Sequence, residues 1–462
     1  MHAAQFEFRP QIDRDRPEPL IEQIEQAIID AIRQRVLRPG ARLPSIRQFA
    51  RDYDVSTFTT ANAYSRLVAK GWLESRPGSG YRVAQAKRPD PARALQQWQP
   101  PRLDRGWLLA DIFADHSIPV KAGCGWLPAE WLSDLGLPDA FRALSRTKVN
   151  FLTGYGHPYG YAPFRDQIAA ELHQHGLIAE LDNIVTTRGA TEALDLISRS
   201  LLQPGDTVVV ESPCYANLLH MLRMANLRIV SVPRNAEGID LDALEAAIQT
   251  HRPRALYVNT VLQNPTGTTL TPNNAFRLLK IVGKYDVLVI EDDISRELLP
   301  GSAPLLAAMD GLERVVYVGG YSKSVSPSMR VGYVMASKEI ARRLVHTKMA
   351  VGLTSPEIME RLVLNVVRSP HYPEHLRQVR TRLANAHAKV AALMQQRNFE
   401  IFGQPGAGLF LWARPTGLDH WQGANAITRE ALNHGIWLAP GSYFDADDSD
   451  VMWLRFHVGY AH

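Results

Sequence analysis

The 462 residues exceed what one hydrophobic core usually serves, so two or more domains are expected. A hydrophobic content of 45% and a charged content of 21% exclude a disordered or fibrous chain, and no apolar run is long enough to span a bilayer. The net charge is only +4, yet residues 31–85 hold ten Lys/Arg against three acids, an excess of seven positive charges that is the footprint expected of a nucleic-acid partner.

Taken in chain order, the first twenty residues, "MHAAQFEFRPQIDRDRPEPL", lack the apolar core of a signal peptide, so a cytoplasmic location is expected. "PLIEQIEQAIIDAIRQ" then spaces Leu20, Ile24, Ile28 and Ala31 along one helical face. "RPGARLPS" breaks that helix, and Ser45 with Gln48 fits a capping box opening a short second helix. Ser56 caps a third helix running to Lys70, with Gly71 as its stop. "WLESRPGSGYRVA" reads as two strands around a flexible tip. Three helices and a hairpin are the plan of a winged helix-turn-helix, placed at residues 1–84. The third helix opens with Ser56, Thr57, Thr59 and Thr60, poor helix formers whose hydroxyls suit phosphates and base edges in a major groove. Arg42, Ser45, Arg47, Arg76 and Ser79 are the other candidate DNA contacts. A small protein-interaction module is the other reading of this head.

Residues 85–115 are rich in Pro, Ala, Arg and Gln without a clean period and read as a linker. Across residues 116–462, short apolar runs ("NIVTT", "DTVVVES", "LRIVSVP", "ALYVNT", "VLVIEDD", "RVVYVGG", "VGYVMAS") mostly alternate with helical stretches. That alternation predicts an α/β fold, a mainly parallel sheet covered by helices on both faces, with ligands bound at the strand ends. The two cysteines, Cys124 and Cys214, are too few and too far apart for a disulfide framework or a zinc site, and no metal is expected.

The strand-end loops carry the chemistry. "TTRGATEAL" sets Gly189, Ala190 and Thr191 between a strand and a helix, where free N–H groups and the helix dipole seat a phosphate. "VIEDD" brings Glu291, Asp292 and Asp293 to a strand end, for pairing with a protonated ring nitrogen, capping a helix or holding a metal. "QNPTG" holds Asn264 on a Pro-Gly turn as a hydrogen-bond donor. In "GGYSKSVSPSMRVGY", Lys323 sits among small residues with Ser322 beside it and Arg330 seven residues on. An imine-forming amine needs a desolvated or cationic site, and Arg330 can fork onto a phosphate. Asp292 could then keep a pyridine nitrogen protonated. Together these parts specify pyridoxal 5'-phosphate, although each part alone is weak evidence.

"LRPGARLPSIRQFARDYDVSTFTTANAYSRLVAKGWLESRPGSGYRV" resembles the GntR family of bacterial winged-helix regulators over nearly the whole head. The body resembles fold-type I aminotransferases over about residues 120–462, through the motifs above and "YGHPYGYAPFRDQIAAEL", "ESPCYAN", "AGLFLW" and "WLRFHVGY". The pairing resembles the MocR subfamily. That resemblance implies an aldimine at Lys323, a ring stacked on Tyr215, and a cofactor-phosphate contact from Tyr155 to the partner subunit, hence a homodimer. It puts Arg455 on an effector or substrate carboxylate, in a small C-terminal subdomain of about residues 350–462. The implied function is a regulator of a double-stranded DNA operator that senses an amino acid, amine or vitamin B6 ligand; the alternative is an active aminotransferase with an auxiliary head. Two departures from the family pattern stand out: Ile294 and Ser295 occupy positions where a tyrosine is frequent, and Gly320 replaces a frequent serine.

Overall fold

The structure is a computed structural model, and it describes residues 8, 10, 12–13, 18–33, 36–38, 40–76, 80–84, 118–133, 135–146, 148, 153–417 and 423–460. The chain divides into two compact units, Met1–Gln99 and Pro100–His462.

In the first unit, helix α1 (Leu20–Arg33) buries Ile24, Glu25, Ile28 and Ala31. The acid in that apolar stripe has a purpose: Glu25 pairs with Arg66, at 3.5 Å, and with Lys70. Both cations belong to or follow helix α3 (Thr57–Ala69), so the buried carboxylate ties α1 to α3. Between them, α2 (Ile46–Asp52) starts at Ser45, whose Oγ accepts from the Gln48 N–H at 3.2 Å. Only half of the expected capping box forms, because the Gln48 amide turns away to Asp52, at 2.9 Å. Strands β1 (Leu73–Arg76) and β2 (Gly80–Val83) pair antiparallel, Leu73 opposite Val83. Phe49, Tyr64, Leu67 and Leu73 fill the small core.

The second unit is built on an eight-stranded sheet: β3 (Ile184–Thr187), β4 (Thr207–Ser212), β5 (Arg228–Asn235), β6 (Gly238–Ile239), β7 (Ala255–Asn259), β8 (Leu288–Asp292), β9 (Val315–Gly320) and β10 (Gly332–Met335). Its order is β3-β10-β9-β8-β7-β4-β5-β6. Strands β5, β4, β7, β8 and β9 run parallel, while β10 is antiparallel to both of its neighbours. Each of the seven apolar runs coincides with one of these strands. Their alternation sorts side chains into two cores. Val209, Leu256, Val289 and Tyr317 belong to one, and Val208, Val210, Tyr257 and Ile290 to the other. Both faces are therefore apolar and covered, which is why the strands read as continuous hydrophobic runs.

A second, antiparallel sheet holds β11 (Phe399–Ile401), β12 (Phe410–Pro415), β13 (Ala439–Pro440) and β14 (Leu454–His457), in the order β11-β12-β14-β13. Residues 120–123 run along its edge: the Gly123 N–H donates to the Trp437 carbonyl at 2.7 Å and the His457 N–H to the Ala122 carbonyl at 2.6 Å. A Cβ on Gly123 would lie 2.5 Å from the Ala439 nitrogen, so this approach requires glycine. A segment some 300 residues upstream of β13 thus shares the small sheet, which no local pattern announces. Among the described residues no helix is long and apolar enough to cross a membrane.

Candidate functional site

Lys323 stands in the turn that follows β9, where the Tyr321 N–H reaches the Val331 carbonyl and the Val325 N–H returns to the Tyr321 carbonyl. Its amine donates to the Gly125 carbonyl, on the segment that edges the small sheet. Burial, and after it the positive charge of Arg455, push this amine down to about 8. Half its population is therefore neutral, and nucleophilic, at about pH 8, where an ordinary lysine is almost wholly charged.

Arg455 arrives from β14 and is buried. It donates from Nη1 to Asn264 Oδ1 at 2.8 Å and from Nη2 to the Gly123 carbonyl at 2.6 Å. The rings of Phe410 and Phe444 lie 4.6 and 4.9 Å from its guanidinium carbon. Its Nε is buried and finds no hydrogen-bond partner among the described residues. Desolvation lowers its pKa to about 10, and no carboxylate ion-pairs with it among the described residues. An anion placed here would relieve a buried, uncompensated cation.

The three consecutive acids at the end of β8 separate cleanly. Glu291 caps the helix Leu306–Asp310, accepting from the Leu306 and Ala307 N–H groups at 3.0 and 2.8 Å. Asp293 pairs with Arg296. Among the described residues the Asp292 carboxylate accepts only from the Ile294 N–H, at 3.4 Å, and it lines a cavity with Cys214, Tyr215 and Asn259. Burial raises its pKa to about 7, and the Lys323 charge pulls the other way. A cation at Asp292 would restore an ordinary carboxylate.

Asn264 is held by its own N–H, which donates to Asn259 Oδ1 at 2.8 Å, while Asn259 Nδ2 donates to the Asp292 carbonyl at 2.6 Å. The Asn259 N–H in turn donates to Glu211, which forms a buried ion pair with Arg234. Sequence reasoning passes over Asn259, Glu211 and Arg234. Their placement at or near the ends of β7, β4 and β5 is the signal that could have found them.

At the other side of the cluster, Gly189 (φ +85°) starts the helix Ala190–Leu201. Arg330, itself left-handed at φ +51°, donates to the Arg188 carbonyl at 3.2 Å. A Cβ on Gly189 would fall 2.6 Å from Arg330 Nη2, so glycine is what lets the guanidinium lie over the helix start. Thr191 and Asn217 both reach the Tyr215 hydroxyl, the latter at 2.9 Å. Ser322 is half-buried beside Lys323. Tyr155 stands apart, 84% exposed. As for the departures, Ile294 is half-buried and Ser295 buried, while a Cβ on Gly320 would meet nothing closer than 3.4 Å, so that glycine is not a steric necessity.

In the head, Arg42, Arg47 and Thr57 are exposed. Ser45 and Ser56 are exposed but serve as caps, and the Ser56 Oγ accepts from the Thr59 N–H at 2.9 Å and lies 2.7 Å from its hydroxyl. Thr60 corrects the expectation: it is fully buried, its hydroxyl donating to the Ser56 carbonyl, and it has no surface to offer DNA. The Arg76 side chain and Ser79 lie outside the described residues.

Comparison with known proteins supplies the lineage. Residues 132–461 match the aminotransferase class I and II family, and residues 20–83 match the bacterial regulatory proteins of the gntR family. The chain belongs to the aminotransferase class I and II family and carries a GntR helix-turn-helix, the composition of MocR-type regulators. It is 32% identical to an uncharacterized HTH-type transcriptional regulator, YdcR, of Escherichia coli, over 95% of both chains. It is 34% identical to 2-aminoadipate transaminase of Thermus thermophilus over 73% of this chain and 84% of that one. Among solved structures it resembles LysN, the alpha-aminoadipate aminotransferase of T. thermophilus complexed with N-(5'-phosphopyridoxyl)-L-leucine. That likeness covers 76% of this chain and 90% of LysN, at 28% identity and a TM-score of 0.69.

The residues present fit a phosphopyridoxal group on three observations: a buried carboxylate with no ion-pair partner among the described residues, a lowered amine, and a glycine cradle under an arginine at a helix start.

Proposed function

We propose that this chain is a DNA-binding transcriptional regulator whose body holds pyridoxal 5'-phosphate and senses a small amino-group- or carboxylate-bearing effector. The observation that carries it is the lowered Lys323 amine, which shares one buried cluster with Asp292 and Arg455 in a chain that also carries a GntR head. When bound, the cofactor supplies an aldehyde that captures amines and a ring that withdraws electrons from them.

This chain's own residues do the rest. Lys323 offers a neutral amine, oriented by the Gly125 carbonyl. Asp292 would hold a proton on the ring nitrogen and Tyr215 would stack on the ring. Asn264, anchored through Asn259, would donate from its side-chain amide N–H to the ring's oxygen. The N–H groups at Gly189, Ala190 and Thr191, with Ser322 and Arg330, would bind the phosphate. Arg455 would bind the effector carboxylate, exchanging its bond to Asn264 for a charged partner. The exposed Tyr155 would reach the partner's cofactor phosphate across a homodimer. Arg42, Arg47 and Thr57 would meet double-stranded DNA. Regulation requires that the effector favour one of two states that differ in DNA affinity.

The test is a titration of amino acids and vitamin B6 forms into the full-length holoprotein, recording its absorbance together with its affinity for DNA. A ligand that shifts both supports the reading. Multiple turnover of an amino acid with a 2-oxo acid and no change in DNA affinity overturns it in favour of a working transaminase.

A further inference from the structure

The leading turn of α3 presents an aromatic ring to solvent. Phe58 is 76% exposed, whereas the opposite face of the helix buries Thr60, Ala63, Tyr64 and Leu67. The hydroxyls of Ser56 and Thr59 are turned onto the helix start, so what extends outward from this turn is Thr57 and Phe58. Further along the same face lie the half-buried Asn62 and the exposed Ser65, both small and polar. A large apolar ring at the tip of such a face is not explained by packing. The charge of the same small unit points to what covers it: Arg42, Arg47 and Arg51 are exposed on α2 and the segment before it, and residues 31–85 carry seven excess positive charges.

In the major groove, donors and acceptors distinguish all four base pairs, and the one apolar feature is the thymine 5-methyl group. The first turn of a recognition helix is the part that reaches base edges. We infer that Phe58 is a sequence-reading residue of the head, packing its ring against a thymine methyl in the operator. This rests on the DNA-binding reading above and deepens it, since it assigns base discrimination to an apolar contact. The phosphates are left to the arginines.

The experiment uses the full-length protein and a random-sequence duplex pool, from which wild-type protein selects a binding site. Each thymine of that site is then replaced singly by deoxyuridine, which removes only the methyl group. At one position at least, wild-type binding should fall about three- to five-fold, the value of one methyl removed from contact. Phe58→Ala should bind the thymine duplex more weakly, be indifferent to the same replacement, and keep the wild-type salt slope, because no phosphate contact is lost. Phe58→Leu should recover part of the methyl sensitivity. Wild-type indifference at every thymine, or a Phe58→Ala protein with undiminished sensitivity, overturns the inference. Unchanged DNA binding by Phe58→Ala also overturns it and points to a protein partner. Failure of wild-type protein to enrich any sequence sinks the DNA-binding reading itself, a result separable from the others.

Discussion

In the head, Ser45 and Ser56 direct their hydroxyls onto helix starts three residues further on, whereas in the body Lys323, Asn264 and Asn259 are each engaged by a segment far away in the chain, through Gly125, Arg455 and the Asp292 carbonyl. The contrast comes from secondary structure. A helix start leaves N–H groups that nearby hydroxyls satisfy, so a serine there has local work before it meets any ligand. A strand end in a parallel sheet leaves its last side chain less occupied locally, as Asp292 with the Ile294 N–H at 3.4 Å, so its polar groups remain available to distant segments and to a ligand. Burial sharpens the difference: Lys323, Asp292 and Arg455 each have a shifted pKa, with desolvation as the first cause.

The largest expected effect is in the body. Lys323→Ala should abolish borohydride-trapped attachment of pyridoxal phosphate altogether; attachment at another amine, located by mass spectrometry, would break the contrast. In the wild-type protein, burial favours the neutral amine. The rate of attachment should thus rise about tenfold per pH unit up to about pH 8 and then level off. A rate still rising at pH 10 would mean an ordinary, solvated lysine.

Next comes Arg455→Ala, which removes the cation that a carboxylate would meet in a desolvated site. Amino acids should bind the holoprotein about 30-fold or more weakly by spectral titration, and the corresponding simple amines should hardly change. Equal losses for both would remove Arg455 from the carboxylate. The smallest effect belongs to the exposed head. Arg47→Ala should lower DNA affinity a few-fold, uniformly across sequences, and reduce the salt slope by about one. An unchanged slope would take Arg47 off the phosphate backbone.

Much of the fold was legible because the periodicities are strong. The seven strand runs, the amphipathic α1 and the caps at Ser45 and Ser56 all depend on neighbours within a few residues. The Lys323 loop and Arg330 were legible for a similar reason, being seven residues apart on either side of one turn. Less visible was the division of labour among Glu291, Asp292 and Asp293, since the helix and the arginine that claim two of them come later in the chain. Thr60 misled because its neighbours in the helix's first turns are exposed, and only the packing of α3 decides which way it points.

By itself, the sequence determined the element types, the two-part organisation and the residues with chemistry to offer, since local propensity and period are carried by adjacent side chains. Tertiary structure decided which of those residues meet. Gly125 reaches Lys323 across 198 positions and Arg455 reaches Asn264 across 191. It also decided their charge states, because a pKa responds to desolvation and to charges brought near in space, and neither is written in the order of the residues.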